Sequence, residues 1–132
     1  MNDHDRILYL IRLAHERDVA SYDRTKLLYK KLQKAYARRS TLAVIKRLWD
    51  AVDKEIEYCK RTDDSNFREL AGLRDRISPS EFTPDEQEEM RILNGTRWDL
   101  WRRLVEHEQA LQASIRARRK RGPIADGAKW PD

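Results

Sequence analysis

A chain of 132 residues suffices for one domain with a modest core and is too short for two of full size. Charged residues make up 39% of it, the net charge is +5, and a single cysteine excludes an internal disulfide and any Cys-x-x-Cys metal motif. No apolar run approaches the roughly 18 residues of a membrane span, and the opening MNDHDRILYLIRLAHERD is unlike a signal peptide, so a cytoplasmic protein is expected.

The first predicted helix runs from about Asp5 to Arg17, with Ile7, Leu8, Ile11 and Ala14 recurring at three- and four-residue steps. DVAS at 18–21 breaks that pattern, and Ser21 is suited to cap a second helix, about Tyr22 to Arg39. On that helix Tyr22, Thr25, Leu28, Tyr29, Leu32, Ala35 and Tyr36 share one arc, while Arg24, Lys26, Lys30, Lys31, Lys34 and Arg38 share the other. Residues 24–39 carry seven cations and no anion. The row Lys26, Lys30, Lys34, Arg38 follows four-residue steps, so like charges are neighbours without the Glu–Lys pairing of an ordinary solvated face.

A third helix begins near Ser40 or Thr41, where Leu42, Ile45, Trp49, Val52, Ile56 and Cys59 make a heptad seam. TDDSN at 62–66 reads as its end and as the cap of a fourth, about Asn66 to Ile77, with Phe67, Leu70, Leu73 and Ile77 inward. Thr83, Pro84 and Glu86 form a capping box for the last helix, which reaches about Lys120 with a kink or short break at LNGT, 93–96. The fold expected is all-α: a bundle of five to six helices with antiparallel, coiled-coil-like packing and a long C-terminal helix. One helical domain spans 1–121, and an irregular tail spans 122–132.

Two segments are suited to bind a polyanion, since grouped cations displace the counterions of phosphates. They are Arg24, Lys26, Lys30, Lys31, Lys34 and Arg38 on the second helix, and Arg116, Arg118, Arg119, Lys120 and Arg121 at the end of the last. DNA, RNA or an acidic protein surface fits them, and the acidic stretch 81–89 is a candidate partner within the fold or between subunits. Trp98, Trp101 and Trp130 are candidate anchors for a protein partner or a second copy of the chain, because tryptophan concentrates at interface centres. No cofactor, metal or catalytic residue is expected, because no second histidine completes the HExxH strings begun by His15 and His107 and no Gly-rich phosphate loop occurs.

The string RRLVEH, with Arg102 and His107, resembles the R-x4-H motif of the HEPN ribonuclease superfamily. The resemblance covers six residues and departs from the usual pattern at Arg103, where a polar Asn, Asp or His is common. It implies metal-independent RNA cleavage at a dimer seam through Arg102 and His107. Size, charge and helical content are also similar to small accessory subunits of nucleic-acid machines and to small phage DNA-packaging proteins, while the heptad seam, the four tryptophans and the sparse core fit a coiled-coil adaptor or a small phage-type inhibitor of such a machine. The expected function is therefore a non-enzymatic nucleic-acid-binding or accessory subunit, with an interaction module as the alternative.

Overall fold

Apolar residues at helical spacing fill nearly the whole sequence, and the backbone is correspondingly long-helical. The computed structural model describes residues 1–119, of which α1 is Asp3–Ala37, α2 is Leu42–Arg74 and α3 is Pro84–Arg119, with a 3-10 turn at Pro79–Glu81. At 1.5 Å per residue each helix is about 50 Å long. The tail 122–132, Lys120, Arg121 and Trp130 lie outside the described residues, as does the side chain of Arg119.

Three helices replace the five to six expected, because the backbone runs unbroken through DVAS, TDDSN and LNGT. The reason is tertiary. Arg97 of α3 donates from Nε to Asp18 of α1, and from a terminal nitrogen to Asp63 of α2 at 3.4 Å. The three polar lapses therefore meet at one level and form a single polar layer across the bundle. Ser21 is buried inside α1 rather than capping a helix. The hydroxyls of Thr62 and Thr96 donate back to carbonyls of their own helices, at 3.1 Å to Tyr58 and 3.0 Å to Ile92, instead of starting new ones.

The ends follow ordinary capping chemistry. Asn2 accepts from the Asp5 amide at 2.8 Å, so α1 starts at Asp3. The predicted capping box forms: the Thr83 hydroxyl accepts from the Glu86 amide at 3.1 Å, and Glu86 accepts from the Thr83 amide at 2.9 Å. His4 stacks on Phe82 and bonds Glu86 at 3.0 Å, tying the start of α1 to the start of α3. At the other end of α1, the Ser40 amide donates to Ala35 and the Arg39 amide to Tyr36, a Schellman pair with Arg39 at φ 53. That left-handed position suits glycine, since a Cβ there costs roughly 1–2 kcal/mol. Arg39→Gly is accordingly expected to raise stability by about 1 kcal/mol and the melting temperature by about 4 °C, whereas Arg39→Ala gains nothing, in thermal unfolding followed by circular dichroism.

α1 is the central element, packed closely on both α2 and α3, while α2 and α3 scarcely approach each other at the backbone. Arg6 with Glu69 and Arg24 with Glu55 make α1 and α2 antiparallel. Arg12 with Glu89 and Tyr22 with His107 make α1 and α3 parallel. Two apolar clusters flank the polar layer. One joins Ile7, Leu8, Leu10, Ile11, Leu70, Leu73 and Phe82; the other joins Tyr29, Leu32, Ala35, Tyr36, Ile45, Val52, Leu111 and Ile115. Phe67, expected inward, is 71% exposed, and Ile56 of the heptad seam is half exposed. Both point to the side where α3 stays apart from α2, so no helix among the described residues covers them. Among the described residues no helix is long and apolar enough to cross a membrane.

Candidate nucleic-acid interface

The last four turns of α1 hold the longest cationic stretch, and their two faces separate cleanly. Tyr22, Thr25, Tyr29, Leu32, Ala35 and Tyr36 are buried. Burial pushes the Tyr29 phenol up to about 12, with the charges of Glu108 and Asp53 adding to the shift. Tyr36 accepts at 2.8 Å from the indole nitrogen of Trp49. The tyrosines are therefore core residues and offer no stacking platform on the surface.

Lys30, Lys31, Lys34 and Arg38 lie exposed on the opposite face. Among the described residues none of the four has a carboxylate within ion-pair distance. Lys26 is half-buried, with its ammonium 5.8 Å from the Tyr22 ring centre, a cation–π contact. Arg24 differs from the rest. It donates twice to Glu55, at 3.0 and 2.8 Å, and this bond raises its own pKa. Burial pushes the Glu55 carboxyl up, but the bonds from Arg24 and Ser21 outweigh it and leave that carboxyl below its usual value. Arg24 thus fastens α1 to α2 and is not among the unpaired cations.

The parallel run of α1 and α3 has an electrostatic consequence. It brings the end of α3, with Arg116 and Arg118, to the end of the bundle that holds Lys30, Lys34 and Arg38. Arg118 is half-buried, and its Nε has no hydrogen-bond partner among the described residues. The start of α2 adds Lys46 and Arg47 at that end, both exposed. These two were not singled out from the sequence because only the direction of α2 reveals them. The acidic stretch 81–89 lies at the far end, where Glu86 meets His4, Glu89 meets Arg12, and Glu88 meets Arg91. It is thus no partner of the cationic row within the fold. The molecule is polarised along its length.

Trp98 and Trp101 stand 72% and 61% exposed, edge to face with ring centres 6.1 Å apart. They follow Asn94 by four and seven residues, so they sit within about 40° of it around the α3 axis. Asn94 lines a pocket of about 250 Å³ with Arg74 of α2, which puts both indoles on the α2-facing flank. Ile56 and Phe67, seven before and four after Asp63, occupy the matching flank of α2. An exposed apolar strip therefore follows the open seam between the two helices.

Arg102 and His107 leave α3 about 140° apart, at five residues' separation. Arg102 is exposed and bonds Asp99 at 2.6 Å, while His107 is half-buried 3.4 Å from the Tyr22 hydroxyl. Asp18, Cys59 and Asp63 bring their polar atoms within 4.8 Å of one another, a spacing a metal ion could span. Arg97 already occupies both carboxylates. Burial, with the Asp63 charge next, pushes the Cys59 thiol up to about 11, so the thiolate that a metal requires is scarce at neutral pH. The three groups form a polar layer in which one guanidinium bridges two carboxylates.

Comparison with known proteins gives no match: no protein-family model, curated protein or solved structure is similar to this chain.

Proposed function

We propose that the chain is a non-enzymatic nucleic-acid-binding or accessory subunit whose cationic end contacts phosphates. The supporting observation is the row Lys30, Lys31, Lys34 and Arg38, unpaired among the described residues and at the same end of the bundle as Arg116. Each phosphate neutralised by such a cation releases condensed counterions, so affinity falls steeply with salt. With four to six phosphates engaged, the slope of log affinity against log salt is expected to be about −4 to −5 on duplex DNA. Changing Lys26, Lys30, Lys34 and Arg38 together to Glu is expected to weaken binding by about 100-fold or more at low salt. Fluorescence anisotropy with duplex DNA and single-stranded RNA over a salt series measures both effects. An affinity that ignores salt, or that survives the fourfold change, would end this reading.

A second reading, an interaction module for a protein partner or a second copy, draws on the exposed indoles of Trp98 and Trp101. Large exposed aromatics beside arginine are characteristic interface anchors. Trp98→Ala with Trp101→Ala is expected to abolish recovery of a specific protein after nuclease treatment, or to halve the solution mass of a dimer. Unchanged recovery and mass would remove it.

A further inference from the structure

On the opposite side of the bundle, α1 and α2 are joined by a row of cross-helix pairs with one gap. Arg6, Arg17 and Arg24 share a flank of α1, within about 20° of one another around the axis. Arg6 is held by Glu69 at 2.9 Å, and Arg24 by Glu55 at 3.0 Å. Arg17 stands between them, where that antiparallel register puts Tyr58 to Thr62 opposite it, and among the described residues no carboxylate lies within ion-pair distance. A second arginine, Arg61, is there instead.

We propose that the pocket formed by Arg17, Tyr58, Arg61, Thr62, Ser65 and Asn66 is a binding site for a phosphate group. Its volume of about 320 Å³ holds a phosphate and part of whatever the phosphate esterifies, given a water's share of roughly 30 Å³ in the liquid. Among the described residues no carboxylate lines it. The two guanidiniums can only donate, and a planar guanidinium matches a phosphate edge with two parallel bonds. Tyr58 and Ser65 add hydroxyl donors.

Asn66 supplies an independent indication. It is 8% exposed, and its Nδ2, closed off from solvent, has no hydrogen-bond partner. A buried amide N–H without an acceptor is unfavourable, and native folds rarely leave one so. Asn66 lines the same pocket, and the proposal assigns an oxyanion bound there as the acceptor for this N–H. The gap in the row of pairs is thus filled by a ligand's charge in place of a glutamate.

The phosphate can belong to a small monoester or to a nucleic-acid strand. The pocket lies about 20 Å along α1 from Lys31, separate from the cationic end, and it does not depend on the function proposed for that end. Isothermal titration with inorganic phosphate, at ionic strength matched with chloride, tests it. Saturable phosphate binding by the wild type, weakened about tenfold or more in Arg61→Gln and in Arg17→Gln, is the expected result. Thermal unfolding of each variant verifies that it stays folded; neither arginine is buried. A short oligonucleotide with and without a 5′-phosphate, used as competitor, identifies the source. Displacement only by the phosphorylated strand marks a monoester site, and displacement by both marks a backbone site. Phosphate binding that is absent in the wild type, or equal in the variants, overturns the proposal. The fourfold Glu variant of the cationic end retains phosphate binding, so the two ideas fail separately.

Discussion

Arg97→Ala is expected to lower stability by about 2–4 kcal/mol at pH 7, measured by urea unfolding. Arg97 is the only cation bonded to Asp18 and Asp63 among the described residues, and it links all three helices through them. Its removal leaves two carboxylates facing each other in a partly buried layer. Loss of one partner of a fully buried pair costs about 3–5 kcal/mol, and the partial exposure of Asp63 brings the figure down. The deficit depends on pH. Burial, then the Asp18 charge, holds the Asp63 carboxyl above its ordinary 3.8, while Arg97 pulls it down. A carboxyl raised in the fold binds more protons folded than unfolded, so stability falls as pH rises from its ordinary value through the raised one. Without Arg97 the raised value moves higher and the window widens, so the variant recovers part of its loss on acidification toward about pH 4. Adding Asp63→Asn is expected to restore about half of the loss at pH 7. A pH-independent deficit, or no rescue, would show that the arginine acts only by packing.

Leu32→Ala is expected to cost about 3–5 kcal/mol, a large part of the roughly 5–15 kcal/mol that holds a domain together. Leu32 is 0% exposed, between the buried tyrosines of α1 and the Ile45, Val52, Leu111 and Ile115 side chains. Leu27, five residues earlier on the same helix, is 53% exposed, and Leu27→Ala should change stability by less than about 0.5 kcal/mol. Ile11→Ala in the other cluster should shift the same single transition, because all three helices run unbroken through both clusters. Two resolved transitions in thermal unfolding would instead mean that the polar layer divides the bundle into independent halves.

The sequence was most legible where physics is local. The division of residues 22–39 into a tyrosine face and a lysine face needed only helical spacing, and the tyrosines are buried as that spacing implies. The Thr83–Glu86 capping box is readable for the same reason, because its bonds span three residues. The candidate interface was only partly legible. Helical spacing puts Lys30, Lys31, Lys34 and Arg38 on one exposed face, but it groups Arg24 with them, since the glutamate that holds it is 31 positions away. Phe67 reads as inward but is exposed, because periodicity identifies an apolar face without saying whether a neighbour covers it.

The three missed continuations have one cause. DVAS, TDDSN and LNGT each look like a turn when read alone, because Ser, Thr, Asp and Asn favour caps and Gly favours breaks. Stacked at one level, they are instead the middle of a bundle, with Arg97 bridging Asp18 and Asp63. By itself, the sequence determined the helical class, the caps and the amphipathic faces, since backbone propensity and side-chain spacing act over three or four residues. The tertiary structure alone decided the number of helices, the polar layer and the placing of Arg116 and Arg118 at the end of the bundle that holds the lysine row. Those depend on register between helices, which is set by side chains that meet only after the chain has folded back on itself.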